Sequence, residues 1–303
     1  MIFEQKMTYP TGDNLTVKPR FALADHPWVG TLVFIITSLI VIIWASVVVF
    51  VLGGLSPQSS HGQILQSLLH HCLTLFVITP FILNLPNGKT PFRQYLSDIR
   101  LNNFHPFFKL LFLSLSCYLI LVFCQASGPV VFRLSQGHQL TWRFILSVFD
   151  IRGDLPPDSA SLWVSLPSAF EEIAFRGVVL TLFLRRYSGI KAIVFSSLAF
   201  GLIHFTNLLN GSEAIWVTGQ VGWAFILGLG YGYLTLKTNS LFPAMLLHYL
   251  SNVFVGSFTA YLQAAASIQI YALYGLIFTF GGIPTSLIIL WVRWFWGRWL
   301  KSD

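Results

Sequence analysis

The sequence predicts an all-α fold, a polytopic transmembrane helix bundle of about eight spans. Three observations predict it. Of 303 residues, 55% are apolar and only 10% are charged, whereas a soluble domain carries about 25% charged residues. Mean hydropathy is +0.70. Apolar runs recur at lengths that cross ~30 Å of hydrocarbon, and no alternation of the kind a lipid-facing barrel needs is visible.

Residues 1–28 are polar and carry Glu4, Lys6, Asp13, Lys18 and Arg20. They read as a cytoplasmic tail and not as a cleavable signal, with the first span acting as the insertion signal. Spans are predicted at 29–53, 63–85, 107–125, 162–184, 190–209, 215–236, 241–262 and 270–292, so that 29–303 forms one bundle. Between the third and fourth lies a polar-to-mixed segment, 126–161. Its piece "LTWRFILSVF" suits a helix lying along the interface, and its "RGD" reads as a chance tripeptide. "GLGYGY", 228–233, lies within a span with no strand before it, so it is not a phosphate loop. Gly228 and Gly232, four apart, instead let another helix approach closely. The tail "WVRWFWGRWLK" reads as an aromatic and basic interfacial anchor. Cys72, Cys117 and Cys124 sit in apolar runs and read as packing residues. The last two are about 10 Å apart on one helix, too far to bridge.

The net charge of +7 reads as topology and not as a nucleic-acid partner, because most cations flank spans. Fourteen of the eighteen fall in the termini and even-numbered loops: Lys6, Lys18, Arg20; Lys89, Arg93, Arg100, Lys109; Arg185, Arg186, Lys191; Lys237; Arg293, Arg298, Lys301. The odd-numbered loops hold Arg133, Arg143 and Arg152. Both termini are therefore expected in the cytoplasm, with the chain a multi-pass protein of the cell membrane.

Three charges stand inside a span. In "AFEEIAFRGV", Glu171 and Glu172 are the only intramembrane acids and Arg176 the only deeply placed base. A charge near the bilayer centre costs at least ~2.5–3.5 kcal/mol on insertion scales, so the three need a reason. Glu172 and Arg176, four apart, share a helix face and can pair. Glu171 is rotated ~100° from Glu172 and is left for another partner. "FGLIHFTN" places Phe200 and His204 one turn apart, and "HYLSN" does the same for His248 and Asn252. Counted from the cationic ends of their helices at 1.5 Å per residue, Glu171, His204, His248 and Asn252 fall at one level, ~16–23 Å deep. A carboxylate and an imidazole can deprotonate a water. A second imidazole and an amide can stabilise an oxyanion. Together they suit hydrolysis of an amide. Neither GxSG nor HExxH occurs, and no aspartate lies within a span. No cofactor is expected. The alternative is a divalent metal such as zinc on Glu171, His204 and His248. His70 and His71 in "HHC" point ~100° apart and read as polar interior or rim residues.

These residues resemble a family. "EEIAFR" looks like its EExxxR motif, "FGLIH" its FxxxH motif and "HYLSN" its HxxxN motif, in order and each on its own span. They are the pattern of the CAAX prenyl protease type II and bacteriocin-processing enzymes, the CPBP (Abi) intramembrane proteases. The resemblance covers about 160–255. It implies a helical bundle that hydrolyses a peptide bond of a membrane-associated protein or peptide. It further implies Glu171 and His204 at the water, His248 and Asn252 at the oxyanion, and Glu172, Arg176 and Phe200 in support. Two other readings compete. A proton- or ion-coupled transporter could use Glu171 as its carrier, but no inverted repeat is evident. An inactive scaffold of the same fold would not need the full set of polar groups.

Overall fold

The computed structural model describes residues 23–84, 92–149, 165–253, 275, 277 and 281–299. Among them the chain is helical, without strands. Five helices among the described residues are long and apolar enough to cross a membrane. They are α1 (Pro27–Leu52), α2 (Ser60–Phe81), α4 (Phe107–Ser135), α7 (Gly189–Leu209) and α8 (Ala214–Thr238). Short α3 (Phe92–Asp98) and α5 (Trp142–Phe149) lie between them. Three further helices fall where spans were expected: α6 (167–184), α9 (Phe242–Val253) and α10 (Ile283–Trp299). Helix α6 carries Glu171, Glu172 and Arg176, which keeps it from qualifying on apolarity alone. Residues 1–22 of the expected cytoplasmic tail, the RGD tripeptide, the start of the fourth expected span, the end of the seventh and most of the start of the eighth lie outside the described residues.

Helix α1 illustrates why these runs become spans. Pro27 stands in its first turn, where a missing N–H costs nothing. Leu32, Ile36, Ile40 and Ile43 form an exposed stripe at helical spacing, the face lipid would cover. Phe34, Val41, Ala45 and Val49 turn inward. Inside, two cores meet. One gathers α6 with α1, α2, α3 and α7 around Phe34, Leu75, Ile99, Val178 and Phe183. The other packs α4, α8, α9 and α10 around Leu113, Leu234, Leu247 and Ile288.

Two sequence expectations are corrected. The third span does not stop at 125, because α4 runs on to Ser135. Gly128 and Pro129 read as loop residues but are buried. Ala126 packs in a small core with Phe144 and Val148 of the returning α5, so the second half of the hairpin holds the extension in place. Pro129 within the helix is tolerable because membrane helices re-satisfy freed backbone groups locally. The second correction concerns cysteine. All three are free, and Cys117 and Cys124 are buried, but Cys72 is exposed on α2.

The loops report which ends of the helices lie together. Trp28, at the start of α1, donates from Nε1 to the Tyr187 hydroxyl at 3.1 Å and packs on Phe183. The α1 start thus meets the α6–α7 turn. Arg100 Nη1 donates to Thr181 Oγ1 at 3.0 Å, and its carbonyl accepts from Leu241 N at 3.2 Å. Asn103 Nδ2 donates at 2.7 Å to the carbonyl of Asn239, the left-handed residue that ends α8. The turn after α3, the end of α6 and the α8–α9 turn therefore share one end. That shared end carries Arg100 and lies beside Arg185, Arg186 and Lys237.

Candidate active site

Helix α6 begins as an ordinary α-helix over Pro167–Glu172 and widens to a π-helix over Ile173–Val179. Such insertions in a helix are frequent at functional sites. Glu171 and Glu172 sit at the junction and diverge. The Glu172 side chain is 0% exposed, while Glu171 is 35% exposed. The second is the one water can reach.

Glu172 is shared between two partners. Its Oε2 lies 3.3 Å from Arg176 Nε on the same helix. Its Oε1 accepts a 2.8 Å hydrogen bond from His248 Nδ1 of α9. The ion pair with Arg176 was legible from spacing; the link to His248 was not. A carboxylate only accepts, so Nδ1 carries a proton in this bond and Nε2 is turned to the other side. There His248 Nε2 lies 3.9 Å from Glu171 Oε2. One imidazole thus stands between two carboxylates.

Aromatic rings enclose this group. The Arg176 guanidinium lies 4.2 Å from the centre of Phe200 and 5.5 Å from that of Tyr231. Stacking on rings suits a fully buried guanidinium because it keeps a favourable electrostatic partner without water. Phe200 also meets His204 edge-on at 5.2 Å and His248 at 5.9 Å. Tyr231 stacks on His248 at 5.3 Å. The F of FGLIH is therefore a hub that touches the cation and both imidazoles.

The close approach of α7 to α8 makes this possible. A Cβ on Gly228 would fall 2.7 Å from Arg176 Nη2 and 3.0 Å from Ser197 Cβ. One on Gly232 would fall 3.0 Å from Ile193 Cγ2. Both glycines thus do what their spacing predicts.

Glu171, His204, His248 and Asn252 line one cavity of about 290 Å³, together with Phe200 and Tyr231. The four residues expected at one depth are brought to one chamber from three helices. A second cavity of about 250 Å³ adjoins it, and Glu171, His204 and Asn207 line both. Its other wall comes from α1 and α2, including Phe34, Ser38, His70 and His71. His70 Nε2 is hydrogen-bonded to Ser38 Oγ at 2.8 Å. His71 stacks on Phe170, 5.0 Å between centres. Among the described residues no group of three His, Cys, Asp or Glu side chains is placed to hold a metal ion. The zinc set Glu171, His204 and His248 shares a cavity without forming such a group.

Sequence reasoning missed Tyr231, Asn207 and Gln220, all on the cavity wall. The signal for Tyr231 was present. It follows Gly228 by three residues, so it shares the face that meets Arg176.

No curated protein and no solved structure matches the chain. Residues 159–254 match the model of the type II CAAX prenyl endopeptidase Rce1-like family. The matched stretch holds all three motifs, from Glu171 to Asn252. With five helices among the described residues fit to cross a membrane, the chain is an integral membrane protein whose residues 159–254 are similar to the type II CAAX prenyl endopeptidase Rce1-like family.

Proposed function

We propose that the protein is an intramembrane endopeptidase that hydrolyses a peptide bond of a membrane-associated protein or peptide. The observation that carries this reading is the shared cavity of Glu171, His204, His248 and Asn252. In it the half-buried Glu171 carboxylate faces the Nε2 of an imidazole that buried Glu172 holds from behind.

Glu171 and His204 hold a water, and Glu171 takes its proton as the oxygen attacks the peptide carbonyl. The carbonyl π pair moves to oxygen. His248, carrying both ring protons, donates from Nε2 to that oxyanion, and Asn252 donates from its amide. Collapse of the tetrahedral intermediate breaks the C–N bond. The proton held by Glu171 passes to the leaving nitrogen, giving a carboxylic acid and an amine. Glu172 and Arg176 touch neither water nor substrate in this scheme. They fix the ring of His248 and the packing beneath it. No step is routed through a metal; cleavage that survives exhaustive chelation, with no zinc bound, is the expected result. Cleavage that stops with chelation and returns with zinc would replace this scheme by one on a metal.

The family description supports a prenylated protein tail as the substrate, with a leader peptide or a membrane-bound regulator as the alternatives. Mapping of new protein termini in membranes with wild-type enzyme, against membranes with Glu171→Gln, identifies substrate and cut site together. Termini that depend on Glu171 are expected. An identical set in both membranes would overturn the reading.

A further inference from the structure

Cleavage within a membrane carries a cost that the four reacting groups do not meet. A peptide bond is attacked in an extended segment, and an extended segment has no internal hydrogen bonds. At membrane depth its N–H and C=O groups go unpaired unless protein or water satisfies them, and each unpaired group is costly. The enzyme must therefore supply partners to the substrate backbone on either side of the cut.

One pair of side chains is built for this. Helix α7 ends as an α-helix at Ile203 and continues as a 3₁₀ turn over His204–Asn210. Residues three apart eclipse in a 3₁₀ turn, so Asn207 stands in line with His204. Asn207 borders both cavities, beside Glu171 and His204. Its Nδ2 donates to Oε1 of Gln220, on α8, at 2.8 Å, and Gln220 borders the reaction chamber as well. An amide pair joined by one such bond keeps one carbonyl oxygen and one NH₂ group with open capacity, whichever amide donates. An acceptor and a donor held side by side complement the N–H and C=O of a peptide backbone, as the edge of a sheet does. Tying the 3₁₀ turn to α8 alone would not require the pair to stand where two cavities meet.

We propose that Asn207 and Gln220 form a backbone-binding site that holds the extended substrate peptide as it crosses from the α1–α2 cavity into the reaction chamber. Asn207 accepts from a substrate N–H and Gln220 donates to a substrate C=O, so the site is tolerant of side chains and selective for an unwound backbone. The proposal rests on the endopeptidase reading.

The test is an ester scan. Each amide of the mapped cut-site peptide is replaced in turn by an ester, which removes an N–H and weakens the preceding carbonyl as an acceptor. Binding is measured to full-length Glu171→Gln protein, which leaves the peptide uncut. One or two esters next to the cut should weaken binding about 3- to 10-fold, the range of a single hydrogen bond. Added to the same protein, Asn207→Leu or Gln220→Met should weaken the all-amide peptide similarly and abolish the penalty at one of those positions. Two outcomes overturn the proposal: no ester position flanking the cut weakens binding, or every penalty persists in whichever of the two variants folds. A wild-type enzyme that cuts no membrane protein removes the endopeptidase reading itself, whereas a cut peptide with unchanged penalties removes only the backbone site.

Discussion

At the scale of residues, the site sets two adjacent glutamates in different surroundings. Glu172 is sealed between Arg176 and His248, and Glu171 faces the cavity. Removing one partner of a buried pair strands the other charge and costs about 3–5 kcal/mol. Glu172→Ala should therefore lower the thermal midpoint in detergent and abolish cleavage. Glu171→Gln, at a half-exposed position, should leave the midpoint within a degree or two. Equal losses of stability in both variants would contradict this division. The two surroundings were partly legible. Four-residue spacing joined Glu172 to Arg176 and left Glu171 over. Spacing along one helix says nothing of the azimuth of another, so the bond from His248 to Glu172 could not be read. Nor could the place of Asn207, which depends on α7 tightening to a 3₁₀ turn just at His204.

At the scale of elements, α8 is the surface against which the site is assembled. Gly228 and Gly232 bring α7 close enough for Phe200 and Tyr231 to cover the Arg176 guanidinium. Gly228→Ala should destabilise the protein by about 1–3 kcal/mol through overpacking and reduce cleavage with it. Gly222→Ala on the same helix is the control. There the new methyl meets Ile277 Cδ1 at 3.6 Å, an ordinary contact, and both thermal midpoint and activity should stay near wild type. Indifference of the protein to Gly228→Ala would show that the close approach is not needed. The glycine spacing announced a close helix approach in advance, though not which helix makes it. The end of α4 was misread because Gly128 and Pro129 carry loop chemistry, and the surface that α5 returns against Ala126 cannot be read from the run itself.

At the scale of the whole molecule, the family match covers 159–254, yet the second cavity beside Glu171 is completed by α1 and α2, outside it. The groups that share the chamber were legible because their motifs lie within one stretch. The contribution of α1 and α2 carries no motif, since an apolar wall is set by shape and not by residue type. Contacts among Trp28, Tyr187, Arg100, Thr181, Asn103 and Asn239 gather the cation-bearing turns at one end, as segregation of positive charge requires. Tags inserted after Arg186 and after Lys237, and tags on both termini, should all be reachable only from the cytoplasmic side of sealed vesicles. A tag at either turn reachable only from outside would invert the topology.

The central claim is that Glu171 activates water for peptide hydrolysis. Its most direct measure is the single-turnover cleavage rate of the mapped cut-site peptide by purified wild type and Glu171→Gln, compared at equal thermal stability. General-base catalysis contributes about 100- to 10,000-fold, so the variant should be slower by at least about 100-fold. A folded Glu171→Gln protein that cuts at the wild-type rate would contradict the account.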